Sequence, residues 1–60
     1  MNDFERLRTV RDELADMIED PQNGFGAEVP DRGLDMNQGT ADLAFALRGT
    51  RYEITIRRLP

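Results

Sequence analysis

The chain has 60 residues, a net charge of −4 and no cysteine. A chain of this length forms one domain with a small core, and without cysteine it has neither a disulfide nor a cysteine-ligated zinc ion to stabilise it. Histidine, serine and lysine are also absent, so the usual general base, nucleophiles and Schiff-base amine are missing. We therefore expect a single-domain binding protein over residues 1–60 that is not an enzyme and uses no cofactor.

The charge changes sign along the chain. Residues 1–20 hold seven acidic residues and three arginines, a net charge of −4. Residues 41–60 hold two acidic residues and four arginines, a net charge of +2. No apolar run approaches the roughly 18 residues of a membrane span, and the first residues are too densely charged for a signal peptide. We expect a soluble, cytoplasmic protein that makes no membrane contact.

The first third of the chain predicts one helix over residues 3–20. Apolar residues recur there at three- and four-residue steps and form a stripe that we assign to the core: Phe4, Leu7, Val10, Leu14, Met17 and Ile18. Asn2 is a suitable N-cap, and Glu5 lies three residues later, as in a capping box. Pro21 disfavours the helical conformation at Asp20 and should end the helix.

The middle of the chain predicts two short strands. Apolar and polar residues alternate in residues 25–29 and 34–36, which is typical of strands. The sequence Pro-Asp-Arg-Gly at residues 30–33 has turn chemistry and separates them. These two strands precede a better defined hairpin.

The last third predicts a hairpin of strands 41–48 and 51–58. Gly49-Thr50 suits a two-residue type II′ turn. That turn puts every apolar residue on one face, in the pairs Leu47–Tyr52, Phe45–Ile54 and Leu43–Ile56. A short helix over residues 41–48, capped by Thr40, is the alternative. The sequence as a whole predicts an α+β fold, with one N-terminal helix packed on a three- or four-stranded antiparallel meander.

Five carboxylates crowd the second half of the predicted helix: Asp12, Glu13, Asp16, Glu19 and Asp20. The helix dipole favours acids at the opposite end, so this arrangement lowers helix stability. At about 1.5 Å rise per residue the five charges span roughly 12 Å. Their linear density is close to that of duplex DNA, which carries one charge per about 1.7 Å. We interpret them as a partner-binding surface that imitates DNA; a solvated face that keeps the domain in solution is the alternative.

The outward face of the predicted hairpin is a second candidate surface. Ala44, Ala46 and Thr55 are small and would let a second copy approach closely, so we assign them to self-association in a homodimer. Four arginines in residues 48–58 are too few against a net charge of −4 to favour direct nucleic-acid binding. No metal site is expected, because the acidic run at residues 19–24 cannot supply the ligands of a calcium loop.

No motif in the chain identifies a family. In size, acidity and lack of catalytic groups the chain is similar to small phage-encoded inhibitors, including anti-CRISPR proteins. That similarity implies a stoichiometric inhibitor whose partner is a larger protein with a basic surface, such as a nucleic-acid-binding effector. The alternative is a self-associating regulatory or assembly module, antitoxin-like or an accessory subunit, that uses the C-terminal hairpin.

Overall fold

A computed structural model describes residues 2–60 as one helix followed by three strands. Helix α1 spans Asp3–Glu19, and strands β1, β2 and β3 span Glu28–Asp35, Thr40–Leu47 and Thr50–Arg57. The strands form one antiparallel sheet in the order β1-β2-β3. The predicted α+β fold is confirmed, with three strands rather than four. Strand β2 lies at the centre, so β1 and β3 are both edge strands.

Both ends of α1 follow from the residues around them. The side-chain oxygen of Asn2 accepts a hydrogen bond from the backbone N–H of Glu5 at 2.8 Å, as expected of an N-cap. Asp20 leaves the helical conformation at φ −64° and ψ 116°, as the following Pro21 requires. The helix therefore ends at Glu19, one residue before the predicted end.

The prediction of two strands separated by a turn is wrong for residues 25–36, because a single strand, β1, runs through Pro30. Glu28 pairs with Ala46 and Asp31 with Ala44, which leaves Val29 and Pro30 together opposite one residue of β2. This is a β-bulge on an edge strand, one of the few places where a sheet accepts proline. Asp31, Arg32 and Gly33, the rest of the predicted turn, pair regularly with β2.

The hairpin prediction is confirmed for β2 and β3 and wrong for the turn between them. Residues Thr40–Leu47 form a strand, not the alternative short helix. Arg48 and Gly49 occupy the turn with φ 55° and 80°, the positive values that type I′ requires at both positions. The pairs become Leu47–Thr50, Phe45–Tyr52, Leu43–Ile54 and Ala41–Ile56. This register differs from the predicted one by two residues, and an even shift leaves every side chain on its predicted face.

The core lies between α1 and one face of the sheet. Leu43, at the centre of β2, is fully buried, and Ile18 of α1 packs in the same cluster. Val10 and Met17 were predicted to lie in the core, but they are 44% and 63% exposed. The reason is the position of α1, which packs mainly against β1 and β2 and only slightly against β3. Within residues 2–60, no helix is both long and apolar enough to cross a membrane.

Candidate functional site

The side of α1 that faces β1 is tied to the sheet by two arginines. Arg32 of β1 points toward the helix, and its Nη1 and Nη2 lie 3.2 Å from Asp12 Oδ1 and 2.9 Å from Glu19 Oε1. Arg11 of α1 reaches the other way and donates to the backbone carbonyl of Gly33 at 3.0 Å. We call this arrangement the closed side, defined by Arg11, Asp12, Glu19, Arg32 and Gly33.

The closed side holds Asp12 in its charged form. Burial by itself would raise the pKa of Asp12, but the hydrogen bonds and positive charges of Arg11 and Arg32 outweigh it and lower that pKa. The Asp12 carboxylate lies 3.0 Å from Arg11 Nη2 and 3.2 Å from Arg32 Nη1. Two of the five carboxylates assigned to partner binding, Asp12 and Glu19, therefore form ion pairs with arginines of the same chain.

A third member of that set, Asp20, holds the loop after the helix. Its carboxylate accepts from the backbone N–H groups of Gln22 at 2.8 Å and Asn23 at 3.2 Å. These two hydrogen bonds, and one from the Asn23 side chain, lower the pKa of Asp20. Asp20 thus has a local structural role that the sequence pattern of charges alone did not indicate.

Glu13 and Asp16 are the two remaining acidic candidates. Both are exposed, and neither makes an ion pair with any residue from 2 to 60. Helical spacing places both on the half of α1 that is turned away from the sheet. The structure therefore does not gather the five carboxylates into one uniform surface, because three are engaged by the fold and two are free.

The three small residues assigned to self-association lie on the sheet face turned away from α1. Their cross-strand neighbours are charged. Ala44 pairs with Asp31 and Glu53, Ala46 pairs with Glu28 and Arg51, and Thr55 pairs with Asp42. A second copy packing flat on this face would therefore bury charged side chains, which costs free energy unless each is paired. The assignment of Ala44, Ala46 and Thr55 to an interface stays a prediction.

The side of α1 that faces β3 is different and was missed by the sequence pattern. We call it the open side, and it consists of apolar side chains from α1, the following loop and β3: Val10, Leu14, Met17, Phe25, Tyr52, Ile54 and Ile56. Met17, Phe25 and Tyr52 are 63%, 70% and 49% exposed. Tyr52 stacks on Phe45 of β2, with ring centroids 5.3 Å apart, so its ring is held in place while one face meets solvent.

Two shallow grooves run along the open side. One, of about 300 Å³, lies where Val10 of α1 faces Ile56 of β3. The other, of about 330 Å³, lies between Met17, Leu14 and Phe25 at the far end of the helix. Apolar atoms line most of the surface of both. Along both grooves, the helix leaves much of the α1-facing side of β3 uncovered.

The total surface area agrees with a partly uncovered molecule. A compact monomer of 6.9 kDa should expose about 4000 Å². This chain exposes 4642 Å², which exceeds that expectation by about 600 Å². Within residues 2–60, three of the six buried apolar residues are alanines (Ala15, Ala27 and Ala41), so the core holds few large side chains. Part of this exposed area lies on the open side, at Met17, Phe25 and Tyr52.

The surfaces carry polar and apolar groups but no close cluster of acidic ligands. In residues 2–60, no three acidic side chains converge in a way that could hold a metal ion. Comparison with protein-family models, curated proteins and solved structures finds no match to this chain.

Proposed function

We propose that this protein acts in the cytoplasm as a small binding module that attaches to a second protein through its open side. The observation that supports the proposal is the exposure of Met17, Phe25 and Tyr52 on one side of a very small domain. Aromatic and methionine side chains are enriched in the cores of protein interfaces. Exposed apolar side chains in one contiguous surface are also a general mark of an interaction site.

The side chains of the open side are of the kinds that bind protein surfaces tightly. Tyr52 offers a large rigid ring and a hydroxyl, and the ring is already positioned by Phe45. Met17 is flexible and can fill irregular gaps in a partner. Little ordering entropy is then lost at Tyr52 on binding, which favours tighter association.

The charge of the molecule favours a partner with a basic surface. The net charge is −4, and Glu13 and Asp16 are exposed carboxylates of α1 with no ion pair in residues 2–60. Complementary charges around an apolar contact raise the rate of association and select among partners. Proteins that handle nucleic acids present such basic surfaces, so we propose a stoichiometric inhibitor of a protein of this class. Binding by mass action requires no catalytic group.

This proposal is narrower than imitation of DNA by all five carboxylates. Asp12 and Glu19 are paired with Arg11 and Arg32, and Asp20 accepts hydrogen bonds from the loop. Of the five carboxylates, Glu13 and Asp16 are the two that no ion pair or hydrogen bond engages within residues 2–60. Apolar contact through the open side supplies the affinity, and these two carboxylates supply the preference for a basic surface.

A matched pair of methionine variants tests the proposal. Met17 and Met36 are 63% and 68% exposed, but Met36 follows β1 and lies away from the open side. The wild type, Met17→Glu and Met36→Glu are immobilised and used to capture proteins from a cell lysate, with identification by mass spectrometry. We expect Met17→Glu to lose the captured protein and Met36→Glu to retain it. Retention by Met17→Glu would contradict binding through the open side.

The charge part of the proposal has its own test. Once a captured partner is purified, Glu13→Gln/Asp16→Asn should weaken its binding about tenfold, about 1.4 kcal/mol, and flatten the dependence on salt. Glu5→Gln is a suitable control, because Glu5 is exposed on the first turn of α1, at the opposite end from Asp16. An undiminished affinity in the double variant would remove the two carboxylates from the interface.

A further inference from the structure

The two edges of the sheet differ in how readily they can accept another strand. Strand β1 carries Pro30, which has no N–H to donate, and a bulge at residues 29–30. Both features block strand addition at an edge. Strand β3 has neither, since all eight of its residues pair with β2 in continuous register and it contains no proline. The β3 edge is therefore the edge of this sheet that is open to another strand.

The backbone groups available at the β3 edge can be identified from the register. Leu47 and Thr50 flank the two-residue turn and form a hydrogen-bonded pair, and such pairs alternate along an antiparallel ladder. The even-numbered residues of β3 therefore bond to β2. The odd-numbered residues direct their N–H and C=O groups to the free edge: Arg51, Glu53, Thr55 and Arg57.

We infer that the β3 edge pairs with the β3 edge of a second copy of this chain, antiparallel about a two-fold axis at Thr55. Each Thr55 then lies opposite the Thr55 of the second copy, and each Glu53 lies opposite the second copy's Arg57. This register forms two cross-strand ion pairs on the outward face, where opposite charges stabilise a sheet. Within residues 2–60, neither Glu53 nor Arg57 has an ion-pair partner in the same copy.

The apolar face is matched by the same register. Tyr52, Ile54 and Ile56 lie on the face of β3 that points toward α1. With Thr55 on the axis, Ile54 of each copy lies opposite Ile56 of the other, so two apolar cross-strand pairs form. Because a two-fold axis perpendicular to the sheet preserves its faces, both helices lie on one side of a six-stranded sheet. The two open sides then adjoin each other.

Neighbouring registers are less favourable. Centring the axis on Ile54 places Arg51 opposite Arg57, and centring it on Glu53 places two glutamates opposite each other, so like charges meet in both. Centring it on Tyr52 pairs Glu53 with Arg51 and is the remaining register with complementary charge. It forms no isoleucine pair, however, because Ile54 then lies opposite Thr50. The combination of charge and apolar pairing favours Thr55.

The surface area of the molecule is consistent with such a dimer. The excess exposure of about 600 Å² per copy is close to the roughly 800 Å² that each partner buries in a standard interface. The inference goes beyond the proposed function, because it concerns the β3 edge and a second copy rather than an unrelated protein. Of the three residues assigned to self-association, Thr55 lies on the axis of this dimer, whereas Ala44 and Ala46 lie on the central strand β2.

Sedimentation equilibrium of charge-swap variants tests the inference. The wild type should be a dimer at micromolar concentration, with twice the monomer mass of 6.9 kDa. Glu53→Arg should raise the dissociation constant at least tenfold, and Glu53→Arg/Arg57→Glu should restore the dimer. Glu28→Arg is the control, because Glu28 is an exposed acid on the same outward face but on β1, and it should leave the dimer intact. Circular dichroism of each variant verifies that the fold is retained.

Each alternative result has a definite meaning. A monomeric wild type, or a dimer that Glu53→Arg does not weaken, would overturn pairing at the β3 edge. Rescue by Glu53→Arg/Arg51→Glu in place of the Arg57 swap would overturn the register centred on Thr55. These outcomes are independent of the lysate experiment, since a monomer can still capture a different protein through Met17. Failure of the dimer is therefore distinguishable from failure of the proposed function.

Discussion

The two long sides of helix α1 meet the same sheet in different ways. On the closed side, Arg11 and Arg32 span the gap and bond to a backbone carbonyl and two carboxylates. On the open side, Met17 of α1 and Tyr52 of β3 make no such tie and are 63% and 49% exposed. The comparison indicates that arginine ties fix the helix over β1 and β2. The apolar face of β3 is left partly uncovered, with Tyr52 49% exposed.

The largest expected effect lies beneath both sides, at the centre of the core. Leu43 is fully buried, so Leu43→Ala should lower the free energy of unfolding by about 2–5 kcal/mol. That loss is comparable to the whole stability expected of a domain this small. Met17→Ala, on the open side, should change stability by less than about 0.5 kcal/mol, as exposed positions usually do. Urea unfolding followed by circular dichroism measures both. Similar losses in the two variants would mean that Met17 is part of the core.

The loop that delivers Phe25 to the open side depends on Gly24. A Cβ atom at Gly24 would overlap the backbone carbonyl oxygen of Met17, so Gly24→Ala must displace the loop. We expect a loss of more than about 1 kcal/mol in stability. Gly39→Asn is the control, because Gly39 has φ 66° with open space around it and asparagine tolerates that conformation. Thermal unfolding of the two variants should differ clearly, and equal melting temperatures would contradict the close approach at Gly24.

The closed side predicts a smaller, pH-dependent effect. Arg32→Met removes the contacts to Asp12 and Glu19 and should cost about 0.5–1 kcal/mol, reduced by salt, because all three side chains are partly exposed. The folded pKa of Asp12 is lowered, so its contribution is present above the unfolded value, about 3.9. That contribution is lost as the pH falls through the folded value. Unfolding titrations at pH 7 and below about 4 should therefore show the difference between wild type and Arg32→Met shrinking in acid. A stability difference that is the same at both pH values would mean that the effect of Arg32→Met does not depend on the ionisation of Asp12.

An effect of similar size but opposite sign is expected at the hairpin turn between β2 and β3. Arg48 has φ 55°, a conformation that costs a residue with a Cβ atom free energy, whereas Asn-Gly is the preferred pair for type I′ turns. Arg48→Asn should therefore stabilise the protein by about 0.5–1 kcal/mol, which a small rise in melting temperature would reveal. A loss of stability would mean that Arg48 makes a favourable contact that offsets its backbone strain.

The sequence predicted the elements better than their junctions. The helix was predictable because apolar spacing, Asn2 and Pro21 all indicated the same limits. The apolar face of the hairpin was predictable for a similar reason, since a shift of two residues leaves the faces unchanged. Pro30 misled the prediction of β1, because a proline in an edge-strand bulge has the same composition as a turn. The turn at Arg48 was missed because arginine rarely adopts a positive φ.

The candidate site was less predictable than the fold. A stripe of helical spacing indicates which residues face the sheet but not how far across the sheet the helix lies. Val10 and Met17 were therefore assigned to the core although they line the open side. The sequence could not show that Asp12 and Glu19 form ion pairs with Arg32. Arg32 is distant in sequence and comes close to them only because β1 folds against α1. Positions that depend on tertiary packing were the ones missed.

The most direct test of the open side is methyl NMR of the methionines. The chain has three, and Met17 and Met36 are similarly exposed on different sides of the molecule. Protein labelled at the methionine methyl groups is recorded over a concentration series and then with a captured partner. We expect the Met17 signal to shift or broaden in at least one of the two experiments while the Met36 signal stays unchanged. A Met17 signal that does not respond in either experiment, or a Met36 signal that responds equally, would contradict the open side as the binding surface.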